Sequence, residues 1–363
     1  MTAIDQYTGT VVKRNATVQP NATVVDLFCG AGGLSHGFYK EGFEIVGGID
    51  IDETCRYAFE QNNESPFIRR DVAKISGQEI NDLFIPGKYR VLVGCAPCQP
   101  FSTYNQKNDD PKWRLLSHFA ELIDNARPDI VSMENVPRLL KFKNGVVFRQ
   151  FVDRLIDSDY HVAWKVLYGP DFGLAQTRRR LVLLASRLGP ISLPEPTHTD
   201  RYRTVKDEIG HLPPLSHGGS DNSDPLHRAS RLSEINIRRI MASRPGGSWR
   251  EWDDNLIADC HKEKTGRTYS SVYGRMRWEE PSPTITTQFF GFGNGRFGHP
   301  EQLRALSLRE GAMLQGFPHD YEFVRPGERI QFKAIGRLIG NAVPVKLASA
   351  IARSVKTHLE GQE

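Results

Sequence analysis

Cysteines are few in this 363-residue chain, and their spacing suits neither disulfides nor zinc. The five occur at positions 29, 55, 95, 98 and 260, an odd and scattered set that argues against a disulfide framework. Cys95 and Cys98 have the spacing of half a zinc site or of a redox dithiol, but no second pair completes a tetrahedral site. We therefore expect no metal, and we interpret Cys95 as a small buried residue.

Long apolar runs and a strong charge imbalance are also missing. No stretch approaches the ~20 apolar residues that span a bilayer, and residues 1–22 lack the apolar core of a signal sequence. The 47 Lys and Arg against 43 Asp and Glu give a net charge of +4, which permits a polyanionic partner without requiring one. We expect a cytosolic protein with a flexible leader over 1–22 and no membrane association.

Short apolar runs alternate with amphipathic stretches between residues 23 and 187. The predicted strands are 24–28, 44–49, 91–94, 129–133, 161–167 and 181–185. The predicted helices are 34–41, 53–62, 115–125 and 147–158. This alternation predicts an α/β fold with a doubly wound, mostly parallel sheet, in which ligands lie at the carboxyl ends of the strands.

The composition changes after residue 187. Residues 188–300 are rich in Pro, Gly, Ser, His and Arg and have few clear periodic elements. We interpret 188–327 as a smaller, loop-rich recognition domain with a helix over 305–315 near its end. Residues 328–363 are expected to return to the first domain, whose boundaries are 23–187, and to end in a helix over 345–359.

A glycine turn follows the first predicted strand. Asp26 to Leu34 has the pattern of a strand, a tight turn and a helix start, and its glycines allow the backbone to approach a ligand closely. Asp50 ends the second strand, where an acidic residue binds ribose hydroxyls. Asp71 follows a possible third strand and suits the exocyclic amine of an adenine. Ser35, in place of the last glycine of a dinucleotide motif, argues against a nicotinamide cofactor.

Three further segments have residues suited to nucleophilic and acid chemistry. Cys98 follows a buried strand and stands between two prolines, a placement typical of a nucleophile. Glu134 ends the predicted strand 129–133, where a partly desolvated carboxyl can donate a proton to a ring nitrogen. In an extended segment Arg178 and Arg180 point to the same side, so both guanidiniums could hold a phosphate or a carbonyl oxygen.

Taken together, these segments resemble the motifs of the bacterial DNA (cytosine-5) methyltransferases, in the order usual for that family. The matching segments are Asp26–Gly33, Asp50, Asp71, Pro97-Cys98-Gln99, Glu134-Asn135-Val136, Gln176-x-Arg178-x-Arg180, Arg304-x-Leu306-x-x-Arg309-Glu310, Gln315-Gly316-Phe317-Pro318 and Gly340-Asn341-Ala342-Val343-Pro344. Each segment alone is modest evidence, but the ordered set is specific and spans most of the chain. The resemblance implies the Rossmann-like fold of the S-adenosylmethionine-dependent methyltransferases.

The resemblance also implies a reaction. The Cys98 thiolate adds to carbon 6 of a cytosine flipped out of duplex DNA, and Glu134 protonates or hydrogen-bonds the ring nitrogen at position 3. Carbon 5 then takes the methyl group of S-adenosylmethionine, which leaves as S-adenosylhomocysteine. Arg178 and Arg180 are expected to hold the cytosine carbonyl oxygen and nearby backbone. Residues 102–115 are expected to close over the DNA.

By the same resemblance, twelve residues bind the cofactor. They are Phe28, Gly30, Gly32, Gly33, Leu34, Asp50, Ile51, Asp71, Val72, Pro97, Asn341 and Ala342. Ile51 is a departure, because some relatives have a different side chain over the adenine.

The expected partner is duplex DNA, and the expected role is modification within a restriction-modification system, beside a separate endonuclease. We expect a monomer in the bacterial cytosol or at the nucleoid. One alternative is a tRNA cytosine-5 methyltransferase, which the long 190–300 stretch disfavours. The other is a catalytically silent DNA-binding regulator, which would predict damage at Cys98, Glu134 or the glycine turn. The amino-acid sequence does not indicate which DNA sequence is recognised. The candidate DNA contacts are Arg228, Arg231, Arg238, Arg244 and Arg250.

Overall fold

A seven-stranded sheet lies at the centre of the protein in the computed structural model, which describes residues 19–97, 111–263 and 266–362. The strands are β1 (Ala22–Leu27), β2 (Glu44–Asp50), β3 (Phe67–Arg69), β4 (Tyr89–Gly94), β5 (Ile130–Asn135), β6 (His161–Tyr168) and β7 (Arg179–Ser186). Their order is β3-β2-β1-β4-β5-β7-β6. The first five strands run parallel, and β7 is antiparallel to both β5 and β6. The predicted doubly wound, mostly parallel sheet is thus confirmed.

Eleven α-helices accompany the sheet in the described ranges. They are α1 (Gly33–Lys40), α2 (Arg56–Asn63), α3 (Gly77–Asn81), α4 (Leu115–Ala126), α5 (Val146–Asp157), α6 (Val205–Ile209), α7 (Glu234–Met241), α8 (Asp259–Lys262), α9 (Leu308–Leu314), α10 (Phe332–Asn341) and α11 (Val345–Glu360). The predicted helix 53–62 begins later, since Glu53–Cys55 is a 3₁₀ turn. The predicted helix 305–315 also begins later, because Ser307 caps α9 and Glu310 completes a capping box.

Successive residues of the central strands face opposite cores. Val24 and Val91 belong to one apolar cluster, whereas Val25 and Leu92 belong to the other. Helices α1 and α11 cover the first face, and α4 and α5 cover the second. The contact between α1 and α11 requires glycine at position 37, because a Cβ there would lie 2.3 Å from the Ala348 side chain. Burial on both faces explains why these strands are continuous apolar runs.

The region after β7 contributes to two cores. A small cluster lies within it, formed by Leu232, Ile240, Trp249, Trp252, Leu256, Phe292 and Ala305. Other residues of the same region belong to the apolar cluster that contains α1 and α11. They include Ile285, Phe289 and Leu314. The segment 285–323 therefore packs against the sheet domain.

The C-terminal helices are long and apolar enough, taken together, to cross a membrane. Phe332–Glu360 reaches this limit by length and composition only, and 78% of its most apolar window is buried inside the protein. Leu347, Ile351 and Val355 of α11 belong to the apolar cluster that includes α1. This burial is that of core helices.

Candidate active site

The glycine turn connects β1 to α1 through three left-handed residues. Phe28, Gly30 and Gly32 have φ of 59°, 52° and 87°. Phe28 therefore ends the strand one residue earlier than predicted. A Cβ on Gly33 would lie 2.4 Å from the Val343 carbonyl oxygen, whereas one on Gly30 would meet no described atom within 4 Å. Gly30 thus faces open space, and Gly33 allows close packing against the C-terminal segment.

A cavity of about 370 Å³ lies beside this turn, at the carboxyl ends of the parallel strands. Ten of the twelve predicted cofactor residues line it, namely Phe28, Gly30, Leu34, Asp50, Ile51, Asp71, Val72, Pro97, Asn341 and Ala342. The other two, Gly32 and Gly33, are absent from its lining: at both positions an added Cβ would meet packed neighbours. The structure therefore brings together residues that lie more than 300 positions apart in the sequence.

A buried carboxyl, Asp26, and a half-buried one, Asp50, line the cavity. Burial raises the pKa of Asp26 to about 7, although its Oδ2 accepts a hydrogen bond from Ser35 Oγ at 2.7 Å. Among the described residues Asp26 Oδ1 has no hydrogen-bond partner. Burial also raises the pKa of Asp50, whose oxygens accept hydrogen bonds from the backbone N–H groups of Gly30 and Asp52. These acceptors favour a ligand with positive charge and hydroxyl groups.

The cavity mouth has an apolar side chain and an ion pair. Ile51 is 64% exposed and lies at the end of β2. Arg337 of α10 pairs with Asp52 and donates a hydrogen bond to Thr54 Oγ1 at 3.1 Å. Sequence reasoning missed Arg337, although it lies one helical turn before Asn341 and therefore on the same face of α10.

Glu134 lies on the other side of the cleft, at the end of β5. Only 2% of its side chain is exposed. Its Oε1 forms an ion pair with Arg180 Nε at 2.7 Å, and its Oε2 accepts a hydrogen bond from Cys95 Sγ at 2.9 Å. Cys95, Ala96 and Pro97 line the cavity just after β4. Cys98, the predicted nucleophile, follows them and lies outside the described residues, as does most of the predicted loop 102–115.

The two arginines of the predicted pair make different contacts. Arg180 contacts Glu134, whereas Arg178 is 4% exposed and donates to the Ile285 carbonyl at 3.1 Å. Arg178 also lies 3.4–3.5 Å from the carbonyls of Gly340 and Ala342. Arg178 therefore connects the C-terminal segment to residue 285. That both guanidiniums also hold the cytosine stays a prediction.

The later motif segments form buried connections. Arg304 makes two 2.7 Å hydrogen bonds to Glu310, and both side chains are buried. Burial alone would raise the pKa of Glu310, but the Arg304 guanidinium outweighs it and lowers that pKa. Gln176 donates to the Leu314 carbonyl, and Gln315 donates to the Ala342 carbonyl at 2.6 Å. These bonds fix the C-terminal segment beside the cavity, a role that the sequence motif alone does not specify.

Comparisons with known proteins agree with this geometry. The family model described as C-5 cytosine-specific DNA methylase matches residues 22–357. The type II methylase M.HgiDII of Herpetosiphon aurantiacus is 52% identical, over 93% of this chain and 96% of the relative. The type II methyltransferase M1.HphI of Haemophilus parahaemolyticus is 34% identical, over 92% and 86%. The structure of the Entamoeba histolytica methyltransferase EhMeth has the same fold, with a TM-score of 0.64 and 16% identity over 94% of this chain and 99% of that one.

Proposed function

Since the chain belongs to the C-5 cytosine-specific DNA methylases, we propose roles in their chemistry for its own residues. The enzyme is a DNA (cytosine-5-)-methyltransferase, which uses S-adenosylmethionine to methylate carbon 5 of cytosine in DNA. The observation that supports the roles best is the position of Glu134. Its carboxyl is held between Arg180 and Cys95, at the end of the strand next to the one that leads to Cys98.

The cavity residues fit S-adenosylmethionine. The unpartnered Asp26 Oδ1 suits the positive charge of the cofactor, and the open space at Gly30 admits its chain close to the backbone. We assign Asp50 to the ribose hydroxyls, Asp71 to the adenine amine and Ile51 to one face of the adenine. When bound, the cofactor supplies an activated methyl group.

The cytosine is activated by the chain's own groups. The Cys98 thiolate adds to carbon 6, and the electron pair of the 5,6 double bond makes carbon 5 nucleophilic. Glu134 delivers a proton to, or hydrogen-bonds, the ring nitrogen at position 3, while Arg180 holds Glu134 in place. After methyl transfer, loss of the carbon-5 proton and elimination of Cys98 restore the double bond and the thiolate. The base must first be flipped out of the duplex, which costs roughly a few kcal/mol.

DNA recognition is assigned to the region after β7. Residues 188–327 supply the surface that reads the target, with 23–187 as the catalytic domain and 328–363 as the returning segment. From its type II relatives we assign the enzyme to modification in a restriction-modification system. We further propose that it acts as a cytosolic monomer, apart from its endonuclease.

A labelling experiment tests the substrate. The protein is mixed with tritiated S-adenosylmethionine and either duplex DNA or tRNA, and label in acid-insoluble material is counted. Label in DNA, located at carbon 5 of cytosine by digestion, is the expected result. Label in tRNA alone, or in neither nucleic acid, would overturn the proposal.

A further inference from the structure

Cys95 contacts the carboxyl of Glu134 directly. Its Sγ lies 2.9 Å from Glu134 Oε2, while Arg180 Nε lies 2.7 Å from Oε1. Both carboxylate oxygens are therefore engaged, one by a thiol after β4 and the other by a guanidinium on β7. The thiol is not fully buried, since Cys95 also lines the cofactor cavity.

The backbone around Cys95 is fixed on two sides. The Cys95 N–H donates to the Leu27 carbonyl of β1 at 3.3 Å. The next carbonyl, that of Ala96, accepts a hydrogen bond from Asn135 Nδ2 at 3.1 Å. Consecutive residues after β4 are thus connected to consecutive residues of β5, namely Cys95 to Glu134 and Ala96 to Asn135. This double connection sets the direction in which the thiol meets the carboxyl.

We propose that Cys95 is a positioning residue for methyl transfer, which orients the Glu134 carboxyl toward the cytosine. The proposal rests on the proposed role of Glu134 as the group that meets the cytosine ring nitrogen. A thiol is a weak donor in water, but in a water-poor site a hydrogen bond to a charged oxygen is strengthened. Cys95 contacts the carboxyl rather than the substrate, so it acts through Glu134.

Two substitutions at Cys95 separate positioning from packing. Cys95→Ala removes the donor, and we expect kcat to fall about 5- to 10-fold with an unchanged Kd for S-adenosylmethionine. Cys95→Ser keeps a donor of smaller size, so kcat should return to within about 2-fold of wild type.

A matched control removes another thiol from the same cavity. Cys55 is buried and lines the cavity from the 3₁₀ turn Glu53–Cys55. Cys55→Ala is expected to alter cofactor affinity or thermal stability, with the same effect in the Glu134→Gln background as in wild type. If the losses caused by both alanine variants disappeared in the Glu134→Gln background, the proposal would be overturned, because this would show a general effect on the cavity.

A double-mutant cycle with Glu134→Gln decides whether Cys95 acts through Glu134. Single-turnover rates are measured for wild type, Cys95→Ala, Glu134→Gln and the double variant, with cofactor binding followed by calorimetry. Glu134→Gln should lose roughly 10²- to 10⁴-fold, and adding Cys95→Ala should then cost nothing further. A full 5- to 10-fold loss in that background, or no recovery of kcat in Cys95→Ser, would overturn the proposal. Wild-type turnover by Glu134→Gln would instead overturn the proposed function of Glu134, a distinguishable result.

Discussion

The sheet domain and the region after it are stabilised internally by different kinds of interaction. Residues 22–186 rely on strand ladders and on two apolar faces. Between residues 188 and 305 the described pairing is limited to isolated bridges, such as those that connect Arg275 to Pro245 and Gly298. In this region buried side chains donate hydrogen bonds to backbone carbonyls. In a sheet such carbonyls would accept hydrogen bonds from the backbone N–H groups of a neighbouring strand.

Arg275 shows this second mode of stabilisation. Its buried guanidinium donates three hydrogen bonds, to the carbonyls of His299, Ser243 and Pro300, at 3.0, 3.1 and 2.9 Å. Arg296 donates to the carbonyls of Gly246 and Gly247 in the same way. The comparison teaches that arginine in this region has a structural use, which composition cannot distinguish from DNA contact.

The largest predicted effect concerns the buried pair of Arg304 and Glu310. Arg304→Met leaves a buried carboxylate without its partner, so we expect a loss of about 3–5 kcal/mol in the free energy of unfolding. Arg304→Met/Glu310→Gln removes the charge but keeps an acceptor for Ser307, and it should recover most of that loss. Urea unfolding measures both variants. Equal instability of the two would mean that the pair does not stabilise this region as described.

The next prediction concerns how the stability of the sheet domain depends on pH. Asp26 has an ordinary pKa of 3.8 and a folded pKa of about 7, because burial disfavours its charge. Its contribution to stability is therefore complete below pH 3.8 and is lost as the pH rises to about 7. Relative to Asp26→Asn, the wild type should lose on the order of 4 kcal/mol over this range. Parallel unfolding curves at every pH would contradict the assignment.

His299, beside the Arg304 pair, should give the opposite slope. Burial lowers its pKa to about 4 from 6.5, and its Nε2 lies 3.7 Å from Glu310 Oε1. Its contribution to stability is present above pH 6.5 and is lost as the pH falls toward 4. Compared with His299→Asn, the wild type should lose on the order of 3 kcal/mol as the pH falls. A gain in stability as the pH falls, as expected for Asp26, would refute this contrast.

The smallest effect tests an exposed arginine. Arg238 lies exposed on α7. Arg238→Ala should change stability by less than about 0.5 kcal/mol. Binding to DNA of any sequence should weaken, and the slope of log affinity against log salt should fall by about 1. Lys165→Ala, on the edge strand β6, is the matched control and should leave the slope unchanged. Equal slopes of log affinity against log salt for Arg238→Ala and Lys165→Ala would show that Arg238 does not contact DNA.

Sequence patterns predict one region of this protein far better than the other. The alternation of apolar runs with amphipathic stretches predicted the strands of the sheet. The glycine turn, Asp50 and Asn341 predicted the position of the cavity. The contact between Cys95 and Glu134 escaped prediction because it depends on how β4 and β5 align, which no local pattern encodes. The backbone partners of Arg178 escaped prediction for a similar reason, since residues 285 and 340–342 are distant from it in sequence.

Covalent trapping tests the proposed chemistry most directly. Duplex DNA in which 5-fluorocytosine replaces cytosine is incubated with the enzyme and S-adenosylmethionine, because fluorine at carbon 5 blocks the final elimination. We predict a denaturant-resistant adduct that maps to Cys98, and none with Cys98→Ser, which should still bind the cofactor. An adduct at another residue, or turnover on ordinary DNA with no adduct on the fluorinated duplex, would contradict the assignment of Cys98 as nucleophile.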